Sequence, residues 1–294
     1  MTEVWSIRKV LTWAADDLRT RGTDTPRLDA ELLLAHVLGT NRIGLVVDAE
    51  RPLSKAELAA YRELHKRRRT GEPVAYMLGV REFYGRPFRV DRRVLIPRPD
   101  TEILVEVAME RTSARSLSGT AVDLCTGSGC VAITLAKERP TWSVIGTDLS
   151  ADALEVAREN AQRLGALPHV CFAQGDLFAA VAALAPRARG RLNLVTANPP
   201  YIAEHERSEL ARTIIDFEPH LALFGGEDGL AITRRVVVEA SEWLAPEGVL
   251  ALEVGAGQAP AVAGFLRDRG YRDVESRKDY GGVERVVSGV RSAA

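Results

Sequence analysis

"VDLCTGSGCVAITLA", Val122 to Ala136, is the stretch on which the fold turns. Together with Thr120 and Ala121, its first residues form "TAVDLC", a short apolar and β-branched run with the character of a strand. From Gly129 the pattern changes to "GCVAITLAKER", apolar at helical spacing. Between the two, Gly127 and Gly129 let the backbone turn sharply and approach a ligand closely, and the helix that follows aims unpaired N–H groups at the same place. A strand, a glycine loop and a helix in this order open a doubly wound sheet. Ligands of such sheets sit at the carboxyl ends of the strands, beside the point where strand order reverses.

The rest of the chain beyond this point keeps the alternation. Further strands are expected at "SVIGTD", "VCFAQGD", "LNLVTAN", "GVLALEVG", "YRDVESRKD" and "ERVVSGV", with helices at "SADALEVARENAQRLG", "AITRRVVVEASEWLA" and "APAVAGFLRDRG" among them. The predicted class is α/β: a seven-stranded, mostly parallel, doubly wound Rossmann-like sheet covered on both faces. Its last two strands, joined by a short Gly-containing loop, should pair antiparallel. "AAVAALAPRARGR" reads as a helix end followed by a surface loop.

Before residue 80 the pattern is helical only. One helix runs through Val4, Ile7, Val10, Leu11, Ala14 and Leu18 to Gly22, and a second opens at Thr25 as N-cap with Pro26 in its first turn and stops at Gly39. A third, "SKAELAAYRELHKRRRTG", has the Ser54 to Glu57 capping-box spacing and cations in its last turn. "REFYGRPFRV" then predicts a hairpin about Gly85, and "IPRPDTE" a Pro-stiffened turn into a new helix. The expected division is a helical bundle that docks the substrate over 1–80, a hairpin and linker over 81–100, and the sheet domain over 101–294, with the boundary inside 80–90.

Composition limits the function. Lys plus Arg (39) balances Asp plus Glu (40), and the net charge of -1 argues against a partner held mainly through phosphate neutralisation. "HKRRR" is expected to be a solvated helix end rather than a nucleic-acid patch. The three cysteines, Cys125, Cys130 and Cys171, show no metal-ligand spacing and are expected as reduced, small buried residues. The histidines are scattered, so no metal is predicted. With no long uncharged apolar run and acids in the opening residues, a cytoplasmic protein without membrane attachment is expected.

"GSGCVA" satisfies a dinucleotide pattern with Asp148 as its ribose acid, but Asp123 at the end of the first strand would repel a pyrophosphate. A carboxylate there suits a ligand with a cationic amino group. An amino-acid-bearing nucleoside such as S-adenosylmethionine fits, with its ammonium toward Asp123, carboxylate toward the loop amides and ribose toward Asp148. Asp176 closes the third strand and can either approach the adenine amino group, with Leu177 and Phe178 against the ring, or cap the helix that follows. At "NPPY", Asn198 to Tyr201, the two prolines make a rigid shelf. The Asn198 oxygen and a proline-held carbonyl would grip the two hydrogens of a planar NH2 group, and Tyr201 would wall it. Such positioning can remove up to roughly 7 to 11 kcal/mol of a barrier without a strong base.

With these motifs placed, the chain resembles the HemK/PrmC family, class I S-adenosylmethionine-dependent methyltransferases that methylate N5 of the glutamine in the Gly-Gly-Gln motif of class I peptide chain release factors. The resemblance spans nearly the whole chain. It is carried by "FYGRPFRVDRRVLIPRPDTEILVE", "DLCTGSGCVAI", "GTDLSADALEVARENA", "ANPPYI", "FEPHLALFGGEDGL" and "LALEVGAGQ". It implies cofactor contacts from Cys125, Thr126, Gly127, Ser128, Gly129, Asp148, Leu149, Leu177 and Asn198 beside Asp123 and Asp176. It also implies a substrate site at Asn198, Pro199, Pro200 and Tyr201 with Arg98, and S-adenosylhomocysteine as the product. Two positions depart from the family: Cys125 stands where many members have glycine, and Leu177 where some carry a larger aromatic. The expected partner is a release factor and the expected state a monomer. Methylation of a ribosomal-protein glutamine or of a nucleic-acid base is the alternative. A nicotinamide oxidoreductase is disfavoured by Asp123 and by the absence of a well-placed hydride-transfer acid.

Overall fold

The apolar stripe of the first helix sets the N-terminal bundle. The structure, a computed structural model, describes residues 4–113 and 117–292, and it divides into two units, Met1–Gly79 and Val80–Ala294. In the first, α1 (Ile7–Thr20) starts at Ser6 and buries Ile7, Val10, Leu11, Ala14 and Leu18. The next helix, α2 (Pro26–Leu38), ends on left-handed Gly39, but Thr25 does not cap it with its side chain. The Thr25 hydroxyl donates instead to Asp29, and Pro26, which has no N–H, removes one orphan donor. A helix that the sequence pattern did not predict, α3 (Arg42–Val47), follows with Asn41 as cap. After it come α4 (Lys55–Arg69), with the expected capping box between Ser54 and Glu57, and a second unpredicted helix, α5 (Val74–Leu78).

Three of the four cations in the last turn of α4 pair within the bundle. Arg67 pairs with Glu72, Arg68 with Asp29 and Arg69 with Asp17. His65 is buried against Asp17 at 2.9 Å.

The second unit opens with a hairpin of β1 (Val80–Phe83) and β2 (Arg86–Arg89). Tyr84 and Gly85 turn it with φ of 51° and 68°, the pair of positive values that a type I′ turn requires. Tyr84 is held there by its N–H, which donates to Glu102 at 2.8 Å. Then follow α6 (Thr101–Arg111), β3 (Thr120–Leu124), α7 (Cys130–Glu138), β4 (Ser143–Asp148), α8 (Ala151–Arg163), β5 (Val170–Gln174) and α9 (Phe178–Leu184). The chain continues with β6 (Leu192–Ala197), α10 (Arg212–Ile215), α11 (Ala231–Trp243), β7 (Leu244–Glu253), α12 (Ala259–Asp268), β8 (Tyr271–Lys278) and β9 (Glu284–Arg291).

The seven strands form one sheet in the order β5-β4-β3-β6-β7-β9-β8. All neighbours are parallel as far as β7, and β9 runs antiparallel to both β7 and β8. The expected mostly parallel, doubly wound architecture is therefore present. Successive strand residues feed opposite layers: Ala121, Leu194 and Val249 join the core with α6 and α7, while Val122, Val195 and Leu250 join the core with α9, α11 and α12. Burial on both faces is why these strands read as continuous apolar runs.

Two expectations need correction. β7 begins at Leu244, not near Gly248, because the chain passes from α11 straight into extended backbone and absorbs "APEG" as an irregularity, with Glu247 at φ 67°. Cys171 is exposed rather than buried; all three cysteines are free. Among the described residues no helix is long and apolar enough to cross a membrane.

Candidate active site

The strand order reverses between β3 and β6, since the chain lays β4 and β5 on one side of β3 and then returns to β6 on the other. A cavity opens at the carboxyl ends of these strands, where a doubly wound sheet places its ligands. Asp123, Cys125 to Ser128, Asp148, Leu149, Asp176, Leu177, Asn198, Pro200 and Arg98 all line it. Gly129, Pro199 and Tyr201 do not.

The glycine loop runs through three left-handed residues, Cys125 (φ 55°), Gly127 (φ 54°) and Gly129 (φ 79°). Gly127 needs only the conformation, because a β-carbon there would meet nothing. Gly129 needs the space as well: a β-carbon would lie 2.9 Å from Ile133 and 3.1 Å from Ala157 of α8. Cys125 holds the same conformation with a side chain, at a cost of roughly 1–2 kcal/mol. Leu177 is strained too, at φ 46° and ψ -121°. Strain of this kind persists where the surroundings over-determine it, and it clusters at binding sites.

Asp123 is 2% exposed, with Thr126 donating to one oxygen at 2.6 Å and Thr196 to the other at 2.8 Å. Burial outweighs these hydroxyls and pushes its carboxyl up to about 6. At the end of β4, Asp148 accepts the amides of Gly127 and Ser150, each at 2.9 Å, and burial raises its pKa as well. Asp176 does not cap α9; both its oxygens bond Arg235, at 3.2 and 2.9 Å. Ser128 and Thr147 also line the cavity, each with its hydroxyl oxygen buried. Leu149 at the rim is 53% exposed. Buried acids beside uncovered apolar surface fit an amino-acid-bearing nucleoside, whose ammonium and ring would meet each in turn.

The shelf after β6 is held from below. A β-carbon on Gly225 would overlap the Pro200 carbonyl oxygen, and one on Gly229 would overlap that of Tyr201. The Tyr201 carbonyl accepts Nε2 of Gln258 at 2.9 Å, and Ile202 exchanges backbone bonds with Leu223 and Gly225 at 3.0 and 2.9 Å. The "GGEDGL" loop thus grips the backbone of the shelf, with Gly225 and Gly229 where only hydrogen fits. Tyr201 packs against Gly255, and burial pushes its hydroxyl up to about 12. The Asn198 Nδ2 donates to the Thr101 hydroxyl at 3.3 Å.

Two acids escaped the sequence pattern. Glu218 is 4% exposed and ties the Pro-stiffened turn to the loop across the cavity, accepting from Arg98 at 2.6 Å and from the Ile96 amide at 3.2 Å. Arg98 thus lines the cavity with its charge already paired. Glu253, at the end of β7, is 2% exposed and pushed up to about 7 by burial. Its place inside the apolar run "LALEVG" gave no signal of a site. Among the described residues, no group of three or more His, Cys, Asp or Glu is placed to hold a metal ion.

Comparison with known proteins agrees with this geometry. Residues 9–79 match the PrmC N-terminal domain and residues 99–227 the Methyltransferase small domain. The hMettl16 catalytic domain, solved in complex with an RNA hairpin, superposes with a TM-score of 0.57 at 11% identity over 83% of this chain and 94% of that one, which shows a shared fold. A methyltransferase from Pyrococcus furiosus gives 0.50 at 16% identity over 72% of this chain and 91% of its own. Release factor glutamine methyltransferase of Geobacter sulfurreducens is 41% identical over 98% of this chain and 97% of its own length. The enzyme of that name from Bordetella pertussis is 45% identical over 90% and 94%. Similarity at this level, sustained along nearly the whole of each protein, means that the chain belongs to the release factor glutamine methyltransferase family.

Proposed function

We propose that the protein transfers a methyl group from S-adenosylmethionine to the side-chain amide nitrogen of the glutamine in the Gly-Gly-Gln motif of a class I peptide chain release factor. The observation that carries this is Asn198, which lines the cavity at the switch point with its amino end tied to Thr101. When bound, S-adenosylmethionine supplies an electrophilic methyl group; its S–CH3 electrons return to sulfur as the nitrogen lone pair forms the new bond, and one amide proton leaves to solvent. Asp123 would hold the ammonium, the loop amides over Cys125 to Gly129 the carboxylate, Asp148 the ribose, and Leu149, Asp176 and Leu177 the adenine. The residues of the shelf do the rest.

A carboxamide nitrogen is a poor nucleophile because its lone pair is delocalised, so orientation is what the protein must provide. The Asn198 oxygen accepts one hydrogen of the substrate amide. A backbone carbonyl held by Pro199 and Pro200 accepts the other. Tyr201 and Arg98 bound the substrate side. The helical unit docks the release factor, and a monomer in the cytoplasm is sufficient for this task. Labelled S-adenosylmethionine incubated with a purified release factor should mark it, and a Gln→Ala version of its Gly-Gly-Gln motif should stay unlabelled. Equal label on both, or label only on a ribosomal protein or on nucleic acid, would overturn the substrate assignment.

A further inference from the structure

The end of β7 lies beside the shelf. The register pairs Ala197 with Leu252, so Asn198 and Glu253 leave neighbouring parallel strands side by side. Glu253 stands apart from the other buried acids. Asp29, Glu31, Asp123 and Glu218 each have a hydrogen-bond donor on both oxygens. Glu253 is as deeply buried, yet its Oε2 has no partner among the described residues. A buried carboxyl left short of partners is costly, so its place in the fold calls for another reason.

That reason lies in Thr101, which is 2% exposed and lines the cavity. Its oxygen accepts the Asn198 amino group at 3.3 Å. A hydroxyl that accepts must send its own proton elsewhere, and the Thr101 hydroxyl and the Asn198 side chain both lie against the Glu253 carboxyl. An ionised carboxyl here can only accept, so it draws the Asn198 amino group toward itself directly and takes the proton of the Thr101 hydroxyl, which accepts that same amino group.

We propose that Glu253 is a positioning residue for methyl transfer: acting directly and through Thr101, it fixes the Asn198 amide with its amino end inward and its carbonyl oxygen turned to the substrate amide. The inference rests on the glutamine-methylation reading and supplies what that reading lacks, a cause for the orientation of Asn198. An ionised Glu253 accepts only and holds this direction. A protonated Glu253 becomes a donor, frees the Thr101 proton to turn toward Asn198, and lets the amide flip. A flipped Asn198 presents NH2 to an incoming NH2, and two donors cannot pair.

The groups that face this carboxyl are Asp100 at the start of α6, which raises its pKa, and Arg285 on β9, which lowers it. Tyr201 on the shelf and Cys130 on α7 also lie within its field.

The test uses the full-length enzyme with Glu253→Gln, Glu253→Ala, Thr101→Val and Thr101→Ser. S-adenosylmethionine affinity is measured by calorimetry, and transfer to a release factor is measured from pH 5.5 to 9. In Glu253→Ala and Thr101→Val, kcat should fall by about tenfold or more while the Kd and the release-factor KM change by less than about threefold. Thr101→Ser should recover most of the loss. The wild-type kcat should fall on the acid side of its profile, and Glu253→Gln should remove that limb. Wild-type kcat values and an unchanged profile in the variants would overturn the proposal. A second readout is independent of substrate: the side-chain amide resonances of Asn198 should titrate with Glu253 in the wild type and lose that titration in Glu253→Gln. If the wild type left release factors unmarked, the function reading would fail while this titration still decided the role of Glu253.

Discussion

A β-carbon on Gly225 would lie 2.3 Å from the Pro200 carbonyl oxygen. The φ of Gly225 does not require glycine, so space alone excludes a side chain there. The Gly225→Ala protein must push the shelf toward the cavity or displace its own loop, a change that costs about 1–3 kcal/mol as an overpacking event. Methyl transfer should fall by about tenfold or more, while S-adenosylmethionine affinity, which the proposed function assigns to the loop after β3, should change little. Calorimetry beside single-turnover kinetics separates the two. Loss of cofactor binding with intact chemistry would show that the loop supports the wrong half of the site.

Cys125 has a glycine conformation without being glycine. Replacing it by Gly removes the left-handed penalty of roughly 1–2 kcal/mol but adds back chain entropy of roughly 0.5–1 kcal/mol. The Cys125→Gly protein should therefore be as stable as the wild type or slightly more so. Cys125→Val, with a branched side chain at positive φ, should be clearly destabilised. Thermal melts of the two variants check the order, and the reverse order would mean that the thiol itself holds the loop.

The sheet and its ligand loop were legible because local signals agree with the fold: two-sided burial makes apolar runs, and Gly127 and Gly129 mark a turn that only glycine takes easily. Short helices such as Arg42–Val47 were not, since six residues are fewer than two turns and Gly44 interrupts the pattern. The start of β7 was hidden by Pro246 and Gly248, which read as a loop although the chain stays extended. Contacts between distant residues left no local trace. Asp176 looked like a helix cap, but its partner is Arg235, 59 positions later. Glu253 becomes a candidate only once β7 is known to lie beside β6, and the reason for Gly225 appears only once its loop is seen under Pro200.

Glu253 also ties stability to pH. Its carboxyl is raised from an ordinary value of 4.5 to about 7 in the folded chain, so between these limits the native state holds a proton that the unfolded state has lost. Stability from this group is fully present below the lower limit and is lost as pH rises through the upper one. Glu253→Gln, which cannot ionise, should gain thermal stability relative to wild type at pH 8 and little at pH 5. The gain should be about 2 °C or more. Calorimetric melts at the two pH values decide it, and equal gains would mean that Glu253 is ionised throughout.

Asp123 makes the last prediction, on cofactor affinity. In the ligand-free protein its carboxyl is pushed up to about 6 because burial outweighs the Thr126 and Thr196 hydroxyls. An ammonium group brought against it favours the ionised form, so binding must remove the proton wherever Asp123 carries one. S-adenosylmethionine affinity should then be flat above about pH 7 and weaken by up to about tenfold per unit below pH 6. Asp123→Asn keeps the size but offers no charge, so its affinity should drop by about tenfold or more at pH 7.5 and lose this pH dependence. Calorimetry in buffers of different ionisation enthalpy counts the protons released, close to one in the wild type below pH 6 and none in the variant. A wild-type affinity that ignored pH, or a variant that bound as tightly, would place the ammonium elsewhere in the cavity.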